Sequence, residues 1–180
     1  YDGIWVTTPQ TATITAEGSK GIKERRYCFV STCYPLADGI ILDPPYILSF
    51  NEDQSTTVSY QVSDIFDTPS AIGNFTVLID STSPELTIST FNTNVNIPTI
   101  TITGNYNDAN IKDIIFSGDI TPVTYTPTST QGIYVQQIEL NPIEGPKTII
   151  ATANDEAGNI KTESITVNLD LTGPTLTIDN

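Results

Sequence analysis

The sequence predicts an all-β protein made of two tandem β-sandwich domains, and three observations carry that prediction. The run Ile79-Asp80-Ser81-Thr82-Ser83-Pro84-Glu85-Leu86-Thr87-Ile88 returns as Leu169-Asp170-Leu171-Thr172-Gly173-Pro174-Thr175-Leu176-Thr177-Ile178, with Asp80 and Asp170 offset by 90 residues. Self-similarity over that period marks tandem units rather than one large fold. Short segments alternate Thr or Ser with Ile, Val or Leu between turn residues, and no stretch longer than a turn or two has helical periodicity. At 180 residues and 38 % hydrophobic, the chain has material for two cores of about ninety residues each. The expected divisions are 1–83, 84–172 and a segment 173–180 that starts a following repeat.

In the first domain, Tyr1 to Pro9 contains the only tryptophan, Trp5, and leads into the strand Thr11 to Ala16, with Ala12, Ile14 and Ala16 on one face. Trp5 is read as a core residue, with ligand stacking as the alternative. Glu17 to Arg26 holds four of the seven basic residues: Lys20, Lys23, Arg25 and Arg26. These form either a solvated loop and strand edge that discourages edge pairing or a docking patch for an acidic partner. Cys28 and Cys33 bracket four residues. They are expected to form a disulfide across a short hairpin, pinning it locally because the closed loop is small. With two Cys and no His, a structural zinc site lacks its four ligands.

Pro35 to Pro45 reads as a turn-rich connection, followed by strands at Tyr46 to Phe50, Ser55 to Val62 and Ala71 to Ile79. The turn Asp64 to Pro69 stands where the second domain has Asp155-Glu156-Ala157-Gly158-Asn159. Because Asp67-Thr68 replaces Gly-Asn, this turn is expected to be built differently. Gly73 is expected to form a bulge that absorbs one extra residue.

The second domain is more regular. Strands are expected at Leu86 to Ile88, Pro98 to Thr103, Ile111 to Phe116, Val123 to Tyr125, Ile133 to Leu140, Thr148 to Ala153 and Ile160 to Leu169. Turns are expected at Gly104-Asn105, Ser117-Gly118-Asp119, Gln131-Gly132 and Glu144-Gly145-Pro146. About seven short strands in about ninety residues is the pattern of an immunoglobulin-like sandwich. The fold class expected is therefore all-β, with two tandem immunoglobulin-like β-sandwich domains.

Charge and composition exclude several functions. A net charge of −14, from twenty-one acidic and seven basic residues, repels a phosphate backbone, so nucleic acid is not a partner. No apolar run is long enough to span a membrane, so no membrane insertion is expected of this segment. There is no His to act as base and no Gly-x-Ser-x-Gly elbow, and the carboxylates are scattered over turns, so the chain reads as a non-enzyme.

Glu144-Gly145-Pro146-Lys147-Thr148-Ile149-Ile150-Ala151-Thr152-Ala153-Asn154-Asp155-Glu156-Ala157-Gly158-Asn159, followed by Val167-Asn168-Leu169-Asp170-Leu171-Thr172-Gly173-Pro174, resembles bacterial Ig-like (Big-type) repeats. Those repeats end in a pattern close to GxNTxxVTAxDxAGN…VxxDxTxP and are strung along large surface adhesins and biofilm-associated proteins. The match covers the second domain well and the first only from Ser59 to Pro84; Tyr1 to Pro45 departs from it. The resemblance implies an extracellular, cell-surface stalk or spacer whose immediate partners are neighbouring repeats of the same chain. Two alternatives stand beside it. The first domain is itself a binding module for a host or cell-surface protein or glycan, or the chain is an accessory module of a secreted polysaccharide hydrolase.

Calcium is the one cofactor the carboxylates suggest. Asp80 and Asp170 stand at junctions, where oxygen ligands from a linker and from adjoining loops gather around a hard cation. Asp64 and Asp67 in the first domain, and Asp108, Asp155 and Glu156 in the second, are the loop residues suited to help. The competing reading is that each Asp accepts local amide bonds in its turn.

Overall fold

The computed structural model describes residues 3–30, 32–51 and 53–178, and the chain divides into two compact units, Tyr1–Thr82 and Ser83–Asn180. Both units are built of strands, and the all-β reading holds. The one described helix is a four-residue turn, and among the described residues no helix is long and apolar enough to cross a membrane.

Unit 1 runs β1 (Trp5–Val6), β2 (Gln10–Thr13), β3 (Ile22–Cys28), α1 (Pro35–Asp38), β4 (Ile40–Ile41), β5 (Ile47–Phe50), β6 (Gln54–Asp64) and β7 (Gly73–Ile79). One sheet has the order β1-β7-β6-β3-β4, and the other is the pair β2-β5. The expected strand face is present, since Ile14 is buried and Ala12 packs on the core, although pairing ends at Thr13. The core gathers Ile14, Leu42, Leu48, Phe50, Val58, Val77 and Ile79, with Phe50 edge-on to Phe75.

Unit 2 runs β8 (Glu85–Leu86), β9 (Ser89–Thr90), β10 (Asn94–Val95), β11 (Thr99–Asn107), β12 (Ile111–Gly118), β13 (Val123–Tyr125), β14 (Gln131–Glu139), β15 (Gly145–Asp155) and β16 (Ile160–Leu169). Its sheets are β10-β16-β15-β12-β13 and β14-β11-β8, with β9 also on β11. In β15, Ile149, Ala151 and Ala153 point inward while the residues between them face outward, the period-two burial of a sandwich strand. Ile102, Ile114, Phe116, Tyr134 and Ile149 are wholly inaccessible. Burying each such side chain contributes about 1.5–3 kcal/mol against the entropy of ordering it.

The two units share a topology. In each, a short strand near the start runs parallel to the last strand: Trp5 faces Leu78 and Val6 faces Ile79 in one, and Asn94 faces Asn168 and Val95 faces Leu169 in the other. The Asp80 amide then donates to the Val6 carbonyl (3.0 Å), as the Asp170 amide does to that of Val95 (2.9 Å).

Several expected turns are strand interior instead, for one reason. Gly104 faces Tyr134, Gly132 faces Tyr106 and Gly73 faces Tyr60 across their ladders. Each tyrosine ring lies over its glycine, in the space a Cβ would take. These glycines are cross-strand partners of aromatic rings, an arrangement in which the ring covers the bare backbone. Gly104-Asn105 and Gln131-Gly132 therefore lie within β11 and β14. Gly73 begins β7 in regular register with β6, so no bulge forms there. The irregularity in that sheet lies between Ile22 and Glu24, on β3.

Candidate functional site

The two Asp-x-Thr-x-Pro stops are built the same way. In unit 1 the carboxylate of Asp53, in the turn before β6, accepts from the Ser81 amide (2.9 Å) and hydroxyl (2.8 Å) on Oδ1 and from the Thr82 hydroxyl (2.9 Å) on Oδ2. Asp80, buried, accepts from the Thr82 amide at 3.0 Å, an Asx turn. In unit 2, Glu144 precedes β15 and accepts from the Leu171 amide (2.8 Å) and the Thr172 hydroxyl (2.6 Å), while Asp170 accepts from the Thr172 amide (3.1 Å). The segment leaving each unit is thus fastened to the turn beside it. The Ser81 hydroxyl and amide and the Thr82 hydroxyl hold the Asp53 carboxyl below its ordinary value of 3.8. The Thr172 hydroxyl and the Leu171 amide do the same for Glu144, below 4.5. In both cases hydrogen bonds to the charged form are the cause.

The opposite ends of the same hairpins carry the other candidate carboxylates. Asp155 Oδ1 accepts from the amides of Gly158 (2.6 Å) and Asn159 (2.8 Å), and Oδ2 from the Asn159 side-chain amide (2.7 Å). Asp64 Oδ1 accepts from the amides of Phe66 and Thr68, both at 2.9 Å. The Thr68 amide is the leading cause of the lowered pKa of Asp64. The two turns differ, as expected, in which amides the aspartate accepts from, yet they share one backbone frame. The Asp64 amide donates to the Thr68 carbonyl (3.1 Å) as the Asp155 amide does to that of Asn159 (3.2 Å), each closing over a left-handed residue three places on, Asp67 (φ 63°) or Gly158 (φ 95°). Asp67 takes the place of Gly158, because aspartate is among the few side chains that tolerate that conformation.

Asp108 and Asp155 come together. Both are buried, and their carboxylate oxygens lie within 4.8 Å of each other. The Asp108 Oδ1 accepts from the Asn110 amide (2.7 Å), and the Glu156 amide donates to the Asn110 carbonyl (2.9 Å), which ties the two loops. Asp170 lies at the far end of the β15–β16 hairpin from Asp155, about 30 Å away at strand rise. Asp64 and Asp67 share one turn, at the opposite end of β6 and β7 from Asp80.

The basic cluster is spoken for residue by residue. Lys20 lies over the Phe66 ring (5.4 Å), Lys23 pairs with Asp67, Arg25 stacks on Tyr46 (3.8 Å) and Arg26 pairs with Glu24 (2.9 Å). Each of these cations faces a partner within its own unit. Trp5 sits half-buried on the short edge strand β1 rather than in the core. Cys28 and Cys33 are joined, with Cα atoms 6.4 Å apart. The expected hairpin between them is absent: Cys28 ends β3, and Cys33 lies in the loop before α1. The disulfide closes part of the connection from β3 to β4, not a pair of facing strand positions. Lys147 points inward from β15 and is buried, whereas Lys161 pairs with Glu163 at the surface (2.9 Å).

No family model matches the chain, and no curated protein matches it. Among solved structures it is similar to the fibronectin(III)-like modules of Clostridium thermocellum CbhA, at 13 % identity over 97 % of this chain and 94 % of that one, TM-score 0.47. It is similar to a tetra-tandem repeat in the extending region of a large adhesion protein, at 18 % identity over 92 % of this chain and 46 % of that one, TM-score 0.46. A third likeness is to the D00-D0 domain of intimin, at 10 % identity over 93 % and 96 % of the two chains, TM-score 0.44. The all-β sandwich architecture stands on the strand pairings and the two cores described above.

Sequence reading missed Asp53 and Glu144. Asp53 belongs to no motif, Glu144 drew notice only as part of a turn, and one is Asp where the other is Glu, so only their shared place before a long strand links them. The Thr of each Asp-x-Thr stop was the available signal, since a hydroxyl that returns at both strand exits, Thr82 and Thr172, calls for an acceptor nearby.

Proposed function

We propose that the chain is an extracellular spacer: tandem immunoglobulin-like units from a bacterial cell-surface adhesin, whose work is mechanical. The observation that carries this reading is the repeated clamp at each unit's exit. An acidic side chain in the turn before the penultimate strand grips the second and third residues after the last one. A segment gripped by two or three charge-assisted hydrogen bonds loses its freedom to swivel at the point where it leaves the sandwich. Pro84 and Pro174, just beyond, fix one further backbone angle each. Such a device serves a stalk, which has to hold a distal part away from a surface.

Small-angle scattering of the chain and of a variant with Asp53→Ala tests the mechanics. Under this reading the wild type gives one narrow distribution of maximum dimension and the variant a broader one. Identical broad distributions would remove the proposal. Immobilised chain probed against protein and glycan arrays tests the adhesive alternative: a spacer retains neither, and saturable binding to either would replace the spacer reading.

Calcium belongs to the same proposal. Asp108 and Asp155 would hold it: two buried carboxylates this close repel one another, and an all-oxygen donor set suits a hard cation. The ion would supply charge neutralisation and rigidity there. A calcium titration followed by calorimetry, with Asp155→Asn as control, decides the matter; no heat and no shift in melting with calcium or chelator would dismiss it.

A further inference from the structure

Unit 2 has one long strand that is paired on a single side. β14 lies at the end of the sheet β14-β11-β8, joined to β11 over nine residue pairs in unbroken register, and among the described residues no strand takes its other edge. The other strands that end a sheet in this unit, β8, β10 and β13, are two or three residues long. Sheets ordinarily guard a long edge with Lys, Pro or a bulge, and Gln131–Glu139 has none of them.

The Leu140 amide donates to the Pro98 carbonyl on the β11 side (2.9 Å), whereas the Glu139 carbonyl accepts from the Thr121 amide on the opposite side (2.9 Å). By the alternation of an antiparallel ladder, Gln131, Ile133, Val135 and Gln137 turn their backbone groups to that same open edge. Its two ends are occupied. The Gln131 carbonyl accepts from the Ser129 hydroxyl (2.7 Å) and the Gln137 carbonyl from the Gln136 side-chain amide (2.8 Å). Between them, the edge-facing amides and carbonyls of Ile133 and Val135 bond to nothing among the described residues. Their side chains stand in solvent on the outer face of the sheet, Ile133 at 70 % and Val135 at 65 % exposure.

Charge narrows the choice of partner. None of the twenty-one acidic and seven basic residues falls within 86–107 or 120–138, the stretches that supply β9, β11 and most of β14. Across the ladder Ile133 and Val135 face Asn105 and Thr103, so this patch is neutral in a chain of net charge −14. Two copies of so acidic a chain repel one another except where both are uncharged, and a basic partner finds nothing here to pair with.

We infer that the Ile133–Val135 edge of β14 is a homodimer interface, pairing antiparallel with the same edge of a second copy about a two-fold axis at Tyr134. Ile133 then lies opposite Val135 of the other copy, and the free amides and carbonyls of the two edges satisfy one another without disturbing the occupied groups on either side. Centring the axis on Val135 would instead set Ile133 against Gln137, whose carbonyl is taken. On the outer face the four aliphatic side chains form one cluster. The contact is isologous and closes at a dimer. Two residues per strand cover far less than a standard interface, so the dissociation constant expected is about 0.1–1 mM.

The test is sedimentation equilibrium of the full chain at concentrations spanning that range, at low and at high salt. It compares the wild type, Ile133→Lys, Val135→Glu and the double variant carrying both, with calorimetry to verify that each is folded. The wild type is expected to form dimers and no larger species, more tightly at high salt because the like net charges of the copies are screened. Each single variant is expected to raise the dissociation constant about tenfold or more, and the double variant, in which each introduced lysine faces an introduced glutamate of the other copy, to recover most of that loss. A wild type that is monomeric throughout, dimers that weaken as salt is raised, single variants that pair as the wild type does, or a double variant no better than the singles would each overturn the inference.

Discussion

Replacing Gly104 by alanine isolates the cross-strand pairing that sets β11 against β14. The new Cβ falls far inside van der Waals contact of the Thr87 carbonyl oxygen and of the Tyr134 ring and hydroxyl. Tyr134 is fully buried and its hydroxyl donates to that same carbonyl at 2.6 Å, so neither neighbour has room to yield. Forcing an extra methyl into such a site costs about 1–3 kcal/mol. Breaking the buried hydrogen bond adds about 1–3 kcal/mol. A loss of about 2–6 kcal/mol is expected, which for a unit of this size lowers the melting midpoint by about 8 °C or more. Gly132→Ala is the control. There the nearest atom is the Tyr106 hydroxyl, 2.8 Å from the new Cβ, and no backbone atom stands among the close neighbours. Its expected cost is about 1 kcal/mol. Differential scanning calorimetry reads both, because the two units are expected to melt as separate transitions and that of unit 1 serves as internal reference. Equal costs for the two variants, or a Gly104→Ala chain within about 1 kcal/mol of wild type, would refute the account of these glycines.

Three further outcomes are expected. At Asp67, whose φ of 63° suits few side chains, a valine is predicted to cost about 1–2 kcal/mol of backbone strain while a glycine is tolerated; equal melting of the two variants would contradict this. The exit clamps predict an acid limb. Asp53 and Glu144 have folded pKa values below their ordinary 3.8 and 4.5, so their contribution is complete above those values and fades as pH falls through the lowered ones. Melting is thus expected to be flat from neutral to about pH 5 and to decline below about pH 4, with a smaller decline in a chain carrying Asp53→Asn and Glu144→Gln. Reduction of Cys28–Cys33, which are five residues apart, is predicted to lower the stability of unit 1 by at most about 2 kcal/mol and to leave unit 2 unmoved, as two-transition calorimetry would show.

Local chemistry was enough to determine the strands, their inward faces and the tandem arrangement. Alternation of Thr with Ile along 99–103 is a statement about a pleated backbone that needs no knowledge of what lies opposite. The Asp155 turn was equally legible, since its acceptor and donors lie within five residues. Tertiary structure alone decided what each glycine is for. Gly104 and Gly118 look alike in the sequence, yet one lies under the Tyr134 ring inside a strand and the other ends a strand at φ 100°. The same holds for the carboxylates: Asp53 meets Ser81 and Thr82 across twenty-eight and twenty-nine residues, and Asp108 meets Asp155 across two loops. Spacing along a chain records which groups are close in sequence, whereas hydrogen bonds, burial and charge respond only to which are close in space.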